Sequence, residues 1–458
     1  MNNSVQFPDG NVLLRNLNKS YPVISYGTGP YLVDQSGKRY FDGAGGALVT
    51  SLGHGNGDLA NSICEQMKKV AYVNGTQFTS FAMEETARLL AKKAEPLGLN
   101  RVALLGSGSE AIEAALKFAR QLWVDRGKAA KHKVISRTPS YHGNTLYALS
   151  ASGRPHYKKV YGPLISSVLK VSAPYGYRAP FVKSTDPNEI LKEYHAEGAD
   201  FYAKELEALI EKEGAQTIST FIFEPVSGSS TGGWIPPQGY CARIMEICKK
   251  NEILIIADEV MCGAGRTGAY FASETFGLKP DVVVLGKGIN AGLMPVSAIL
   301  VKNLDLATMK TTSGGFMHAQ TFMNSPSMAA TTLAVLRHFD SHQILEKAKK
   351  VSEVFQKALR EEVAPLPYVG SVSGIGHMAG VEFVCEKDSK EPFPIAKKFA
   401  LKFAAHAQEM GLIVWPNYGQ ADGIDGDLIL LGPPLNINEH QAIECVSLLQ
   451  KAIETFQI

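Results

Sequence analysis

Short apolar runs alternate with amphipathic segments through the middle of the chain, from Arg101 to Val301. The runs are rich in β-branched residues and predict strands at 102–105, 133–136, 220–223, 253–257 and 282–285. Segments with helical spacing separate them, and this alternation is typical of a mostly parallel sheet with crossover helices. The pattern therefore predicts an α/β fold in which helices flank a large, mostly parallel sheet.

The two ends of the chain carry different patterns. The N-terminal part shows strand signals at 31–33 and 39–41, around a turn at 34–37, followed by helical spacing at 58–70 and 83–94. In the last third, a long helical stretch is predicted over 325–355, strands over 378–384 and 428–431, and a closing helix over 439–456. A chain of 458 residues is long enough to form two lobes.

The composition is that of an ordinary globular protein, with 45% hydrophobic and 20% charged residues. A formal net charge of +2 gives no reason to expect nucleic acid or an anionic membrane as a partner. The six cysteines lack metal-ligand spacing, which favours a reducing compartment over a disulfide framework. The N-terminus, Met1 to Ser4, is polar, and no apolar stretch is long enough to cross a bilayer. We therefore expect a cytoplasmic protein.

Two charged residues follow strongly apolar strands. Asp258 directly follows the apolar run 253–257, and Lys287 comes after the run 282–285, between Gly286 and Gly288. In open α/β sheets the ligand crevice lies at the carboxyl ends of the strands. A lysine and a carboxylate together there suit pyridoxal phosphate, because the lysine binds its aldehyde and the carboxylate keeps its pyridine nitrogen protonated. A buried ion pair is the alternative, which the flanking glycines disfavour because they allow a ligand to approach closely.

A third group of residues suits a phosphate. The strand at 102–105 leads into Gly106–Ser109, and a strong helix-forming sequence follows. The N–H groups at a helix start bind phosphate, Ser107 and Ser109 add hydroxyl donors, and Gly108 allows close approach. Alone, the loop is also compatible with a dinucleotide fingerprint that uses Asp125 for the ribose, or with a plain serine N-cap. Beside Lys287 and Asp258, we expect the phosphate of pyridoxal phosphate.

The chain resembles the class III (omega) aminotransferases, which are fold-type I pyridoxal phosphate enzymes. The resemblance is carried by D-E-V-M-C-G-A-G-R-T-G from Asp258 and D-V-V-V-L-G-K-G-I-N-A-G from Asp281, and it continues across nearly the whole chain. It implies that Lys287 is the Schiff-base lysine, Asp258 the pyridinium partner, and Val260 a residue that packs on one face of the ring. It also implies a smaller α+β domain made from both chain ends, with predicted domains at 1–57, 58–324 and 325–458.

The same resemblance implies further cofactor contacts. Tyr141, in Ser140–Thr145, would stack on the pyridine ring, whereas the neighbouring His142 has the alternative of a purely structural role. Glu224, which follows the strand at 220–223, would support the hydroxyl side of the ring or a neighbouring donor, with a structural arginine pair as its alternative. Thr321, in the turn that begins at His318, would bind the phosphate of the neighbouring subunit. We therefore expect a homodimer with active sites at its interface.

The implied activity is a ping-pong transamination between a small-molecule amine donor and a keto acid. A pyridoxal phosphate-dependent racemase, epimerase or decarboxylase on the same fold is the alternative. An NAD-dependent dehydrogenase is more distant, because it leaves Lys287 and Asp258 without a role.

The substrate is less well defined. Trp415 stands where many members of the family hold a carboxylate-binding arginine, so Arg154 and Arg178 are the candidate substitutes, and a structural role is the favoured alternative for each. The small residues at 45–49 predict extra room in the pocket, with Phe78 and Phe81 as candidate lining residues. These features favour a donor other than an α-amino acid, with an apolar or bulky side.

Overall fold

The computed structural model describes residues 3–457, so the prediction for the N-terminal tetrapeptide lies partly outside it. The chain begins with two small antiparallel sheets. The first pairs β1 with β2, and the second has the order β3-β4-β5. Their bounds are β1 Ser4–Val5, β2 Tyr21–Pro22, β3 Ile24–Thr28, β4 Tyr31–Asp34 and β5 Arg39–Phe41. The predicted turn after β4 is closed by the Asp34 carboxylate, which accepts the backbone N–H groups of Ser36 and Lys38.

The large sheet has seven strands, in the order β6-β12-β11-β10-β9-β7-β8. The five strands from β8 to β11 in this order are mutually parallel, and β12 runs antiparallel to both of its neighbours. All five predicted strands of the middle region are therefore confirmed. The bounds are β6 Arg101–Leu105, β7 Lys133–Thr138, β8 Leu169–Ser172, β9 Ile218–Phe223, β10 Leu254–Asp258, β11 Val282–Leu285 and β12 Ser297–Val301.

Helices cover both faces of this sheet. The apolar side of α4 packs on one face with residues such as Ile222 and Ile256, while α7 and α8 pack against the other around Phe221 and Phe223. The bounds up to β12 and just beyond are α1 Gly45–Leu48, α2 Gly57–Lys69, α3 Phe81–Lys93, α4 Gly108–Asp125, α5 Leu146–Ala151, α6 Pro155–Tyr161, α7 Pro187–Glu213, α8 Tyr240–Lys250, α9 Ala272–Thr275 and α10 Asn303–Thr311.

The C-terminal third forms a separate antiparallel sheet, in the order β13-β14-β17-β16, with β15 paired to β14. The helical stretch expected over 325–355 is two helices, because the chain turns at Gln343, whose backbone is left-handed (φ 53°). The bounds are α11 Pro326–Ser341, α12 Ile344–Ala358, β13 Val369–Ile375, β14 Met378–Glu386, β15 Glu391–Pro392, α13 Phe399–Glu409, β16 Trp415–Tyr418, β17 Asp427–Leu431 and α14 Glu439–Thr455.

The two ends of the chain meet in space. Phe41, at the end of β5, is buried in the core of the C-terminal sheet, beside Leu412 and Phe403. Its backbone N–H donates to Gly411 O at 2.7 Å, and its carbonyl accepts the N–H of Ile413 at 2.9 Å. The fold is thus α/β, with a mostly parallel sheet between helices and a separate antiparallel sheet, as the sequence predicts. The domain boundaries at 57/58 and 324/325 stay predictions.

Candidate active site

The carboxyl edge of the large sheet holds a pocket. The strands β6, β7, β9, β10 and β11 all end here, and each is followed by residues that the sequence singles out. The pocket is lined by Gly108, Ser109, Tyr141, His142, Gly143, Glu224, Val226, Ser229, Asp258, Val260, Met261 and Lys287. Eight of the ten predicted site residues are therefore in one cavity, whereas Ser107 and Thr321 do not line it.

Lys287 follows β11 directly and begins a short 3₁₀ turn, Lys287–Asn290, with a left-handed backbone (φ 45°). Burial lowers the pKa of Lys287 to about 8, while the negative charges of Asp258 and Glu224 act in the opposite direction. An amine with a pKa this low is partly neutral near pH 8, and only the neutral amine is a nucleophile.

Asp258 is the last residue of β10, and both of its carboxylate oxygens are bound. His142 Nδ1 lies 2.7 Å from Oδ2, and the N–H of Val260 donates to Oδ1 at 3.1 Å. His142 is buried as well, and its backbone N–H donates to Ser152 Oγ at 2.8 Å. The role of His142 thus lies in holding the Asp258 carboxylate. Its other ring nitrogen, Nε2, is buried without a hydrogen-bond partner among the described residues.

The predicted phosphate loop lies at the start of α4. Ser107 is the N-cap of this helix, since its Oγ accepts the N–H of Glu110 at 3.3 Å, and its side chain points to the cap. The Oγ of Ser109 accepts the N–H of Asn144 at 3.0 Å, which joins this loop to the segment after β7. A Cβ added at Gly143 (φ 135°) would lie 2.5 Å from the Ser109 Oγ, so only glycine allows this close approach.

The dinucleotide alternative does not fit this geometry. Asp125 is the last residue of α4, and an 18-residue helix is about 27 Å long. At that far end, Asp125 accepts hydrogen bonds from Ser313 at 2.8 Å and Gln121 at 3.4 Å. It is therefore too distant to hold a ribose whose phosphates lie at Gly108.

Glu224 lies at the end of β9, opposite the phosphate loop. Its carboxylate accepts the hydroxyl of Ser227 at 3.0 Å, and burial raises its pKa. Arg137 donates to the backbone carbonyl of Glu224 and not to the carboxylate. A side-chain ion pair with this arginine is therefore not what holds Glu224, and its carboxylate faces the pocket.

Tyr141 and Val260 form two walls of the pocket. Val260 fills the space between two glycines: a Cβ on Gly108 would lie 3.0 Å from Val260 Cγ1, and one on Gly286 would lie 3.1 Å from it. Tyr141 lies on the segment after β7, and the guanidinium of Arg154 is 5.3 Å from the centre of its ring. Val260 thus packs against the two glycines, and Tyr141 packs against Arg154.

Thr321 lies on the surface of this chain and outside the pocket. The turn that contains it is fixed to β6, because Asn324 exchanges hydrogen bonds with the backbone of Leu104 at 2.8 and 3.1 Å. The turn is therefore well anchored next to the phosphate loop. Its expected contact with a second subunit stays a prediction.

On the substrate side, Trp415 packs with Leu48 and Val226 in an apolar cluster, and Val226 also lines the pocket. Phe78 and Phe81, the candidate lining residues, are not among the residues that line the pocket in this chain, and their contribution to a site shared with a second subunit stays a prediction. The two residues are 64% and 79% exposed, and Phe81 is the first residue of α3.

Four lining residues escape the sequence analysis: Gly143, Val226, Ser229 and Met261. Ser229 belongs to a loop rich in glycine and serine, Ser227–Gly233, which follows β9 directly. That composition after a buried strand is the signal that was available, because such loops form ligand crevices at the carboxyl edge. Gly143, Val226 and Met261 carry no comparable signal.

The residues of the pocket fit a phosphorylated pyridine. A helix N-terminus, a lysine and a bound carboxylate surround it, and the unpartnered His142 Nε2 supplies a further polar group. Among residues 3–457, no group of three histidine, cysteine, aspartate or glutamate side chains is placed to hold a metal ion. Within the same range, no helix is long and apolar enough to span a membrane.

Comparison with known proteins defines the class. The model of the family described as aminotransferase class-III matches residues 15–453, which is nearly the whole chain. The chain therefore belongs to the class III aminotransferases, a family of pyridoxal phosphate-dependent enzymes, and it is a transaminase.

Individual relatives are similar over more than nine-tenths of their length. The chain is 36% identical over 437 residues to the uncharacterized aminotransferase YodT of Bacillus subtilis, covering 95% of this chain and 96% of that protein. It is 30% identical to the putrescine–pyruvate aminotransferase of Pseudomonas aeruginosa, covering 95% and 91%. The structure of the omega transaminase of Pseudomonas jessenii in complex with PMP superimposes with a TM-score of 0.85 at 31% identity, covering 94% and 92%.

Proposed function

We propose that this transaminase binds pyridoxal phosphate in the pocket at the carboxyl edge and attaches it to Lys287. When bound, the cofactor supplies the aldehyde that accepts the amino group and the ring that takes up electrons. Lys287 then takes a proton from the substrate carbon and returns it, a role that the lowered pKa of its amine supports. The convergence of Lys287, Asp258 and the start of α4 on one cavity carries this proposal.

The other residues hold the cofactor in place. Asp258, kept in position by His142, keeps the pyridine nitrogen protonated. Ser107, Gly108, Ser109 and the start of α4 bind the phosphate, and of these side chains the Ser109 hydroxyl is the one that faces the pocket. Tyr141 and Val260 cover the two faces of the ring, and Glu224 supports its hydroxyl side.

The donor and acceptor follow from the walls of the pocket. Aminotransferases move an amino group from an amine donor to a keto acid, and the family assignment disfavours racemisation or decarboxylation. We propose a donor other than an α-amino acid, with an apolar or bulky side. The apolar cluster of Leu48, Val226 and Trp415 behind the pocket supports this choice. The relative that acts on putrescine and pyruvate supports a terminal amine as donor and a keto acid as acceptor.

The absorbance spectrum of the purified protein tests the proposal. After addition of pyridoxal phosphate we expect a yellow band that borohydride fixes onto Lys287, and that single amines bleach without any keto acid. A band that no amine bleaches would contradict transamination, and the absence of a band would contradict the cofactor site. In Lys287→Ala we expect no fixation and a loss of turnover of at least about 10⁴-fold.

We also propose that the enzyme is a homodimer in which Thr321 completes the partner's phosphate site. The exposed position of Thr321 beside the anchored turn at Asn324 supports this arrangement. Mixing two inactive variants tests it: Lys287→Ala and Thr321→Asp, which repels the phosphate. A mixed dimer has one site with both wild-type residues, so we expect activity to return on mixing. If activity stays lost, the sites are not shared.

We propose a cytoplasmic location. Its support is that the six cysteines are all unpaired, as expected in a reducing compartment. Fractionation of the native host with an antibody against the protein tests this location, and recovery outside the cytoplasm would contradict it.

A further inference from the structure

The acceptor of a transaminase poses an electrostatic question. A keto acid carries a carboxylate, and a carboxylate that enters a pocket loses its water and needs a cationic or hydrogen-bonding partner. Lys287 is committed to the chemistry at the carbonyl carbon. A second group must therefore bind the carboxylate, and its identity decides which acceptors the enzyme selects.

Among residues 3–457, the arginines near this edge of the sheet are engaged in different ways. The Arg178 guanidinium donates to the Glu382 carboxylate at 2.5 Å, and Arg266 donates to the carbonyl of Pro433 at 2.5 Å. Arg137 lies behind the pocket, donating to the backbone of Glu224 and facing the ring of Phe223. Arg154 contacts the side chains of two residues that line the pocket, Ser229 and Tyr141.

Arg154 is buried against two lining residues. Its Nη2 donates to the Ser229 hydroxyl at 2.5 Å, and its guanidinium carbon is 5.3 Å from the centre of the Tyr141 ring. The pKa of Lys287 is lowered to about 8, mainly by burial, and the positive charge of Arg154 contributes to this lowering. The guanidinium is thus close enough to Lys287 for their charges to interact.

The contacts of Arg154 leave suitable donors around it. The Ser229 oxygen accepts from Arg154, so its own proton remains available for an anion. Asn417, on β16, accepts from Arg154 Nη1 through Oδ1 at 3.2 Å. Its Nδ2 is buried without a hydrogen-bond partner in the part of the chain that the structure describes. A buried amide left unpartnered is costly and marks a place where a ligand or water supplies the missing acceptor.

We propose that Arg154, Ser229 and Asn417 form the carboxylate subsite of this transaminase, and that they make it select acceptors that carry a carboxylate. The inference rests on the transaminase function proposed above. A guanidinium beside a hydroxyl and an amide N–H gives charge-assisted hydrogen bonds to both carboxylate oxygens. Tyr141 and Ser229 belong both to the pocket and to the contacts of Arg154, so the subsite borders the pocket.

Matched acceptors test the subsite. The protein is first converted to its aminated form with an amine, and the rate of amino transfer is then measured with two pairs of acceptors. Pyruvate is compared with acetaldehyde, and 4-oxobutanoate with propanal, so that each aldehyde is the acid with its carboxylate replaced by hydrogen. In Arg154→Met we expect kcat/KM for at least one of the two acids to fall by about 10- to 100-fold, the loss of a charged hydrogen bond, while the aldehydes change by less than about 3-fold.

Lys158 provides the control. It lies four residues along the chain from Arg154, and its amine donates to the carbonyl of Ser150 away from the pocket. Lys158→Met removes the same charge and should leave the ratio of acid to aldehyde unchanged. If kcat/KM falls equally for acids and aldehydes in Arg154→Met, the role of Arg154 is to position Tyr141. If kcat/KM does not fall for either acid, another group binds the carboxylate of the acceptor. Either result overturns the subsite.

Two further variants guard against a folding defect. Arg154→Lys keeps the charge but loses the forked geometry, so we expect an intermediate ratio, and Asn417→Leu should lower the ratio with Arg154 intact. A readout without catalysis is the affinity for propanoate, which we expect to fall at least about 10-fold in Arg154→Met; unchanged affinity would contradict the subsite. If the wild-type protein transfers no amino group to any acceptor, the transaminase function itself fails.

Discussion

Three buried charged side chains at the carboxyl edge of the sheet are stabilised in different ways. Asp258 is bound by His142 and by the N–H of Val260, and Glu224 is bound by Ser227. Lys287 instead has its ammonium form destabilised by burial. The carboxylates are thereby fixed in place, while the amine of Lys287 becomes reactive near neutral pH. This division suits one nucleophile in a rigid polar frame.

The pH dependence of cofactor attachment follows. Below a pKa of about 8 Lys287 is an ammonium and cannot attack, so we expect the rate at which the cofactor-free protein captures pyridoxal phosphate to rise with pH around a midpoint near 8. An ordinary lysine would give a midpoint near about 10.4. Stopped-flow absorbance between pH 6 and pH 10 measures the rate. A rate that keeps rising toward pH 10 would contradict the lowered pKa.

The lowered pKa of Lys287 also makes the free energy of unfolding depend on pH. In the unfolded chain Lys287 keeps an ordinary pKa near about 10.4, so below pH 8 both states are protonated and the folded state bears the full cost of the buried charge. Between about 8 and 10.4 the unfolded state binds more protons, so this contribution to stability rises with pH. Lys287→Ala should remove that rise.

Lys170, another buried lysine whose pKa burial lowers to about 6, is the control for the borohydride labelling of Lys287. Its amine is held by Ser152 O away from the pocket, so borohydride should not fix the cofactor there.

At the scale of elements, the start of α4 and the turns after β10 and β11 pack closely together. Val260 occupies the space that side chains on Gly108 and Gly286 would need. The helix N-terminus, with its unpaired N–H groups, can therefore lie within reach of the same ligand as Lys287. This close packing of three elements depends on the absence of two β-carbons.

Gly108→Ala should weaken cofactor binding. The added methyl group would lie 3.0 Å from Val260 Cγ1 and would displace the wall on which the ring packs. Overpacking of this kind costs about 1–3 kcal/mol, which corresponds to at least about a 5-fold loss of affinity in a titration with pyridoxal phosphate. Gly57→Ala is the control, because nothing lies within 4 Å of its β-carbon. Recovery of affinity in Gly108→Ala/Val260→Ala would identify the clash as the cause, and unchanged affinity in Gly108→Ala would contradict it.

At the scale of the whole molecule, a buried ion pair connects the two sheets. Arg178 follows β8 of the large sheet, and its Nε donates to Glu382 on β14 of the C-terminal sheet at 2.5 Å. Tyr175 donates its hydroxyl to the same carboxylate, and Arg178 also donates to Lys390 O at 3.1 Å. The pair holds the C-terminal sheet against the side of the large sheet. Arg178 is therefore engaged in structure, in contrast to Arg154.

Arg178→Met should reduce the free energy of unfolding by about 3 kcal/mol, because it leaves the Glu382 carboxylate buried without its cation. Urea denaturation of the cofactor-free protein measures the change. Lys68→Met is the control: its pair with Glu65 is exposed and should contribute less than about 1 kcal/mol. Replacing both partners, in Arg178→Met/Glu382→Leu, should recover most of the loss. A loss as small as that of Lys68→Met would show that the pair does not connect the sheets energetically.

The sequence by itself determined the strands of the large sheet and the placement of Asp258 and Lys287. Continuous β-branched runs have few conformational options, and parallel strands bring the residues after them to one edge. Other elements were not determined. The 27-residue helix α7 carries only a weakly amphipathic pattern and was not predicted, and the break at Gln343 depends on a left-handed residue inside a helical pattern.

Only the tertiary structure decided which side chains meet across the pocket. Arg154 and Asn417 are 263 residues apart, and their contact depends on how the C-terminal sheet is placed beside the large one. The role of His142 is similar, because its partner Asp258 lies on another strand. Periodicity reports which face of an element is buried, whereas such contacts depend on the relative positions of elements distant in sequence. The sequence therefore determined the chemistry of the centre, and the tertiary structure decided the surroundings that select its substrate.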